Sequence, residues 1–155
     1  MRFFNTTGPV NPSKHYALSA LDRLDRDELD RLIEQERYFV LHAPRQTGKT
    51  SALLALMDHL NSIGQQRCCY VNVEAAQAQR ENTAAAMRVI FDTLADSASW
   101  VGDHYLDDHK NAIRERYSDE QLFSGALTQW CRALEKPLVL LIDEIDSLVG
   151  DTLIS

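Results

Sequence analysis

Residues 38–51 read YFVLHAPRQTGKTS, and this stretch decides the predicted fold. An apolar run, residues 38–41, leads through a turn-rich segment into Lys49 and Thr50 at the head of an amphipathic run. That order predicts a strand, a loop and a helix start around the phosphate-binding pattern GxxxxGK[ST]. Ala43 stands where the first glycine of the pattern usually lies, and its small side chain fits if the loop enters in an ordinary conformation.

The residue types of the loop suit a triphosphate, which carries concentrated negative charge. Backbone N–H groups converge on an anion at a helix N-terminus, and Gly48 lets the backbone approach because it has no Cβ. Lys49 supplies a flexible positive charge for the β- and γ-phosphates, and the Thr50 hydroxyl is a hard oxygen ligand suited to Mg²⁺. The predicted nucleotide-binding set is Ala43, Pro44, Arg45, Gln46, Thr47, Gly48, Lys49, Thr50 and Ser51. The alternative is a chance GKT in a surface turn.

A second apolar run, residues 137–144, reads PLVLLIDE and ends in two carboxylates. Five consecutive aliphatic residues after a proline predict a strand that is buried on both faces of a parallel sheet. Acidic residues at the carboxyl end of such a strand lie where open α/β sheets bind ligands. We therefore expect Asp143 to hold Mg²⁺ through water and Glu144 to polarise an attacking water. Solvated carboxylates at a strand end are the alternative.

Composition limits the class of protein. The chain has 155 residues, enough for one domain with a hydrophobic core. Its net charge of −7 argues against general nucleic-acid binding, which needs a basic face. Binding through a local basic patch stays an alternative. No apolar run approaches membrane-spanning length. Three cysteines without a secretory signal predict reduced, buried thiols in a cytoplasmic protein.

The segment before the loop divides into an arm and a helix. Residues 1–16 hold two X-Pro steps, which predict an extended arm. This arm either packs on the domain or lines the base pocket of a nucleotide, and Tyr16 is the best candidate for the second role. Asp25 followed by Glu28 forms a capping box, which predicts a helix that begins after Asp25.

The elements between the two motifs alternate between helix and strand. The helix after the loop is expected to run to about Ile63 and to stop at Gly64. Residues 68–73, CCYVNV, predict a second strand, and residues 82–97 predict another amphipathic helix. The predicted buried stripe of the first of these helices is Leu53, Leu56, Met57 and Leu60.

Residues 100–117 form a polar stretch. They include Asp103, His104, Asp107, Asp108 and His109. These side chains could form a metal site, but the polar composition favours a solvated loop. Ser118 with Gln121 in the box position then predicts a further helix cap. The wide apolar stripe of that helix, which includes Trp130 and Cys131, is expected to pack on the sheet.

The order of the elements predicts a sheet topology. Because Asp143 must reach the metal held by Thr50, the first and third strands should be neighbours, about 4.8 Å apart. The second strand must then lie outside the third. The expected spatial order is second, third, first (2-3-1), all parallel, with right-handed crossovers.

The two motifs carry a family resemblance. APRQTGKT followed by LLIDEID, after an arm and a helix, resembles AAA+-type and signal-transducing STAND-type ATPases. These belong to the additional-strand, catalytic-glutamate division of P-loop ATPases, and the chain is similar to uncharacterised bacterial AAA-like ATP-binding proteins. The resemblance implies an α/β fold, a three-layer P-loop NTPase sandwich, with residues 1–37 as arm and helix and residues 38–155 as a partial core.

In that family the pattern continues with a fourth and a fifth strand and a helical lid, which carry sensor residues. The chain ends at Ser155, before those elements. We therefore expect a piece of a longer protein, or an open sheet edge that a partner protein or a second copy covers.

Three functions follow as expectations. The first is Mg²⁺-dependent ATP hydrolysis, with Lys49 on the phosphates, Thr50 and Asp143 on Mg²⁺ and Glu144 as the catalytic residue that orients water. The second is a nucleotide-binding switch or scaffold without appreciable hydrolysis in this chain. The third is a P-loop small-molecule kinase, against which the Asp-Glu pair argues.

Overall fold

The computed structural model describes residues 21–42, 47–79 and 81–148, and the chain divides into two compact units, Met1–Leu56 and Met57–Ser155. Helices dominate the described residues. The helices are α1 (Arg26–Glu34), α2 (Lys49–Ile63), α3 (Thr83–Trp100), α4 (Tyr105–Asp108), α5 (Lys110–Arg116) and α6 (Leu122–Ala133), and the strands are β1 (Arg67–Asn72) and β2 (Leu138–Asp143). Short 3₁₀ segments cover Leu21–Arg23, Glu74–Gln79, Asp119–Gln121 and Ile145–Leu148.

Helix α1 begins and ends through local hydrogen bonds. The side chain of Asp25 accepts a hydrogen bond from the N–H of Glu28 at 3.2 Å, so the predicted cap is confirmed. At the other end, Glu36 has a left-handed backbone with φ +53°. The N–H of Arg37 donates to the Leu32 carbonyl at 2.9 Å, which closes a Schellman motif.

Helix α2 has the bounds that the sequence predicts. It begins at Lys49 and ends at Ile63. Gly64 follows with φ +77°, and its N–H donates to the Leu60 carbonyl at 3.1 Å. A left-handed residue at this point favours glycine because a Cβ would be strained there. The predicted stripe is confirmed as buried at Leu53, Leu56, Met57 and Leu60.

The predicted first strand is wrong. Residues 38–42 form no strand in the structure, although they are apolar. The side chains of Tyr38 and Val40 are 105% and 72% exposed. A short apolar run reports a tendency to be buried, whereas a strand also needs a hydrogen-bonded neighbour. The tendency is not realised at these two positions.

The sheet in the second unit is formed by β1 and β2, which pair in parallel. The register runs from Arg67 opposite Leu138 to Asn72 opposite Asp143. Within the described residues the sheet has these two strands, so the predicted three-layer P-loop sandwich with strand order 2-3-1 is wrong. The parallel pairing of the two later strands matches the expectation. The predicted order fails because residues 38–42, the predicted first strand, do not form a strand.

One face of the sheet packs against helices. Cys69 and Val71 of β1 are fully buried and join a core with Phe91 of α3 and Trp130 of α6. The strand β2 is less covered, because Ile142 at its carboxyl end is 36% exposed. The prediction that this strand is buried on both faces is therefore wrong, since burial depends on which helices cover each residue.

The outer edge of β1 is covered by a side chain. Asn61 of α2 donates from Nδ2 to the Cys68 carbonyl at 2.8 Å, and its Oδ1 accepts from the Cys68 N–H at 2.9 Å. Cys68 itself is fully buried. The amide therefore replaces a neighbouring strand at this residue, because a buried backbone group needs a hydrogen-bond partner.

The polar stretch after α3 is helical, so the predicted solvated loop is wrong. It forms α4 and α5, and Leu106 and Ile113 are fully buried in the core. These two apolar side chains give the stretch a buried side. The predicted cap at Ser118 is also wrong: its side chain makes no capping hydrogen bond, and residues 119–121 are 3₁₀ before α6 starts.

The described helices are too short or too polar to cross a bilayer.

Candidate functional site

The first half of the candidate site is the start of α2. Gly48 precedes the helix with φ +82°, a left-handed conformation that favours glycine. Its carbonyl accepts a hydrogen bond from the Ala52 N–H at 3.0 Å, so Gly48 lies at the helix cap. Lys49, Thr50 and Ser51 form the first turn. Thr47 lies before them, while Tyr16 and Ala43, Pro44, Arg45 and Gln46 lie outside the described residues.

This helix start has the chemistry of an anion site. The first N–H groups of a helix have no partner within the helix, and the helix dipole makes this end positive. The helix is 15 residues long, and Lys49 adds a full positive charge at its first position. The motif therefore presents backbone donors, an ammonium group and hydroxyl groups within one turn.

The second half of the candidate site is the carboxyl end of β2. Asp143 is the last residue of this strand, and its side chain is buried at 6% exposure. Its Oδ1 accepts a hydrogen bond from the Glu144 N–H at 3.0 Å. Its Oδ2 accepts a hydrogen bond from the Tyr70 hydroxyl at 3.1 Å. Each oxygen of the buried carboxylate therefore has a hydrogen-bond donor.

Glu144 has a strained backbone. Its φ is +59°, in the left-handed region that costs a residue with a Cβ roughly 1–2 kcal/mol. The Glu144 carbonyl accepts a hydrogen bond from the Ser147 N–H at 2.9 Å, which starts the 3₁₀ segment Ile145–Leu148. The chain therefore turns sharply at Glu144, directly after the buried aspartate.

Short 3₁₀ segments follow both strands. Ala76 in the segment after β1 is fully buried, and Leu148 in the segment after β2 is buried at 8% exposure. Asn72, opposite Asp143 in the register, accepts the N–H of Glu74 at 2.8 Å through its side chain. Both strands thus end in turns that are anchored at the same end of the sheet.

The structure brings the acidic pair together with Tyr70 and Asn72 in the second compact unit. Thr47, Gly48, Lys49, Thr50 and Ser51 belong to the first unit. The nucleotide and metal roles of both sets of residues stay predictions.

The metal-site alternative for residues 103–109 fails. Within the described ranges, no group of three His, Cys, Asp or Glu side chains is arranged to hold a metal ion. Asp103 instead accepts hydrogen bonds from the Trp130 indole and from the Tyr105 N–H, each at 3.1 Å. The ring of His109 stacks on Tyr105, with 4.3 Å between the ring centroids.

The cysteines have no arrangement that favours nucleophilic chemistry. Cys68 and Cys69 are free and fully buried, and burial raises the pKa of each thiol to about 12. They therefore stay protonated near neutral pH. The prediction of buried thiols holds for this pair and is wrong for Cys131, which is exposed on α6.

Sequence reasoning missed Tyr70 and Asn72. Both lie on the same face of β1, because alternate residues of a strand point the same way. The polar residues in CCYVNV were a signal that one face of this strand meets polar groups. Their position beside Asp143 depends on the register between strands, which the pattern of either strand alone does not define.

Comparison with known families identifies the chain by class. A family model described as Nephrocystin 3, N-terminal matches residues 23–152, which include both halves of the candidate site. The chain therefore belongs to the nephrocystin 3 N-terminal family. No curated protein and no solved structure is detectably similar to it.

Proposed function

We propose that the chain binds ATP together with Mg²⁺ and hydrolyses it, as the nucleotide-binding part of an AAA+- or STAND-like ATPase. The observation that carries the proposal is the end of β2, where the buried carboxylate of Asp143 is followed directly by the left-handed Glu144. Strained backbone conformations collect at functional sites, because the surrounding structure must hold them in place.

The phosphates are the ligand of the α2 start. Gly48 has the left-handed conformation that the phosphate-binding pattern accommodates, and Lys49 follows at the first helical position. Backbone donors and the ammonium group together would bind the β- and γ-phosphates. Residues 43–46 are proposed to complete this cradle through their backbone.

The residues proposed for Mg²⁺ are Thr50 and Asp143. A hydroxyl and a carboxylate are both hard oxygen donors, which is the type of ligand that this ion prefers. The buried, hydrogen-bonded carboxylate of Asp143 fits the role, because a fixed negative charge orients a hydrated cation. When bound, Mg²⁺ would neutralise charge on the phosphate oxygens.

Glu144 is proposed to act as the general base. Its carboxylate would accept a proton from the attacking water and orient it toward the γ-phosphate. The Glu144 side chain is half-buried and follows directly after the buried carboxylate of Asp143 at the end of β2.

Two substitutions of Glu144 test this role. Glu144→Gln should lower ATP turnover by about 10²- to 10⁴-fold while ATP affinity stays within about twofold. Glu144→Gly should lower turnover by the same factor. It should also raise the melting temperature, because glycine relieves the strain of the left-handed backbone. Turnover is measured as phosphate release, and Glu120→Gln, at an exposed position in the 3₁₀ segment Asp119–Gln121, is the control. Unchanged phosphate release in Glu144→Gln would refute the assignment.

A nucleotide-dependent switch is the second candidate function. The family membership supports it, because nephrocystin 3 is a STAND-associated protein and STAND-type ATPases transduce signals. In this case the chain binds ATP with negligible phosphate release. ATP binding without turnover in the wild-type chain would favour the switch over the hydrolase.

A partner protein or a second copy is proposed to meet the acidic end of the sheet. The side chains of Ile142 and Ile145 are 36% and 49% exposed on either side of the acidic pair. Exposed aliphatic side chains next to a polar site are common in protein interfaces. The free, buried thiols of Cys68 and Cys69 support a reducing, cytoplasmic setting.

A further inference from the structure

Tyr70 is the neighbour of Asp143 that the proposed chemistry has not used. The two side chains lie on the same face of the sheet. Asn72 is opposite Asp143 in the register, and Tyr70, two residues before Asn72, is on the same face of β1. The Tyr70 hydroxyl donates to Oδ2 of Asp143, with 3.1 Å between the oxygens. The phenol is part-buried and the carboxylate is buried.

The contact has two physical effects. A neutral donor satisfies one carboxylate oxygen without adding a positive charge that would compete with a cation. The hydrogen bond also restricts rotation of the carboxylate, since Oδ1 accepts from the Glu144 N–H at the same time.

We propose that Tyr70 is a positioning residue for the divalent cation of this site. Its hydroxyl fixes the orientation of the Asp143 carboxylate, the group that would hold a hydrated Mg²⁺. The inference rests on the proposed function for the identity of the ligand. The inference adds to the proposed function a role for Tyr70, a residue on the neighbouring strand β1.

The test compares Tyr70→Phe with the wild-type chain in three titrations: ATP with Mg²⁺, ATP with EDTA, and Mn²⁺ alone followed by electron paramagnetic resonance. Tyr70→Phe keeps the ring and removes one hydroxyl. Affinity for MgATP and for Mn²⁺ should fall by about 10- to 100-fold, as for other groups that orient a metal ligand. Affinity for ATP in EDTA should not change.

Two further variants control the comparison. Tyr117→Phe removes a hydroxyl that accepts a hydrogen bond from Gln129 Nε2 at 3.3 Å, and it should not alter any of the three affinities. In an Asp143→Asn background, Tyr70→Phe should have no further effect on cation binding. If Tyr70→Phe fails to fold, Tyr70→Leu, which also lacks a side-chain donor, replaces it in the same titrations, with the same expected losses.

The outcomes separate this inference from the proposed function. If the wild-type chain binds MgATP and Tyr70→Phe binds it equally well, the positioning role is refuted while ATP binding stands. An equal loss with and without Mg²⁺ also refutes it, because the role is then structural. If the wild-type chain binds Mn²⁺ but no ATP, the proposed function fails and the Mn²⁺ affinities alone decide the role of Tyr70. Binding of neither ligand overturns both.

Discussion

The indole Nε1 of Trp130 lies 3.1 Å from Oδ2 of Asp103, and this contact joins α6 to the turn after α3. The Arg67 guanidinium approaches the same oxygen, with 3.8 Å from its Nε, and also donates to the Val101 carbonyl at 3.1 Å. The Asp103 side chain is only 10% exposed. One carboxylate therefore ties together two helices and the first residue of β1.

Asp103→Ala should destabilise the fold. The substitution leaves the buried indole N–H without its acceptor, which costs about 1–3 kcal/mol. Urea unfolding followed by circular dichroism measures the free energy of unfolding. The exposed Asp107→Ala in the neighbouring helix is the control and should change it by less than about 0.5 kcal/mol. Equal midpoints for the two variants would contradict the structural role of Asp103.

Asn61→Ala should also lower stability, because it removes the amide that pairs with the buried Cys68 backbone. The loss of two hydrogen bonds to buried groups predicts a decrease of about 1–3 kcal/mol in the free energy of unfolding. Ser62→Ala is the matched control, since the Ser62 hydroxyl bonds to the His59 carbonyl within the same helix. If the two variants unfold at the same urea concentration, the edge of β1 does not depend on Asn61.

Gly125→Ala should be destabilising although alanine is the better helix former. A Cβ at this position would lie 2.6 Å from the ring of Tyr117. Helix propensity alone would favour alanine by about 1 kcal/mol. Overpacking costs typically about 1–3 kcal/mol, so the melting temperature should fall. Ser124→Ala, at an exposed position of the same helix, should not lower it by more than about 1 °C. A Gly125→Ala variant that melts higher than the wild-type chain would show that Tyr117 moves freely.

The three free cysteines should differ in reactivity toward a thiol reagent. Cys131 is exposed, whereas Cys68 and Cys69 are fully buried. At about pH 8.5, near the ordinary pKa of a thiol, one thiol per chain should react within minutes and all of them after unfolding in guanidinium. The assay is absorbance of the released thiolate, with Cys131→Ser as the control that abolishes the fast phase. A fast phase of two or more thiols would contradict the burial of the pair.

The same pair predicts loss of stability at high pH. Burial raises the pKa of both thiols from 9.0 to about 12, so folding favours the protonated forms. This contribution is fully present below pH 9.0 and is lost as the pH rises toward about 12. Each thiol should lower the free energy of unfolding by up to about 1.4 kcal/mol for each pH unit in this range. Cys69→Ala should show a shallower fall in urea titrations across that range; an unchanged slope would contradict the raised pKa.

Local signals in the sequence predicted several elements correctly. The Asp25 cap and the Gly64 stop act within one helical turn, so neighbouring residues are enough to predict them. The end of β2 at Asp143 is likewise marked by an apolar run that meets an acidic pair. The roles of Lys49 and Glu144 in nucleotide chemistry stay predictions.

The errors arise where distant parts of the chain decide the outcome. The apolar residues 38–42 needed a hydrogen-bonded neighbour to form a strand, which their own pattern does not provide. The sequence predicted a solvated Asp103, but in the structure its carboxylate accepts a hydrogen bond from the buried indole of Trp130, 27 positions away. Tyr70 meets Asp143 across 73 positions, through a strand register that neither segment encodes alone.

The most direct test of the central claim is calorimetric titration of MgATP into the wild-type chain and into Lys49→Ala. The proposed function predicts saturable binding to the wild-type chain and an affinity lower by about 10- to 100-fold in Lys49→Ala, since a charge-assisted contact is lost. Absence of binding to the wild-type chain, or equal affinity in the two proteins, would contradict the claim that this helix start is a nucleotide site.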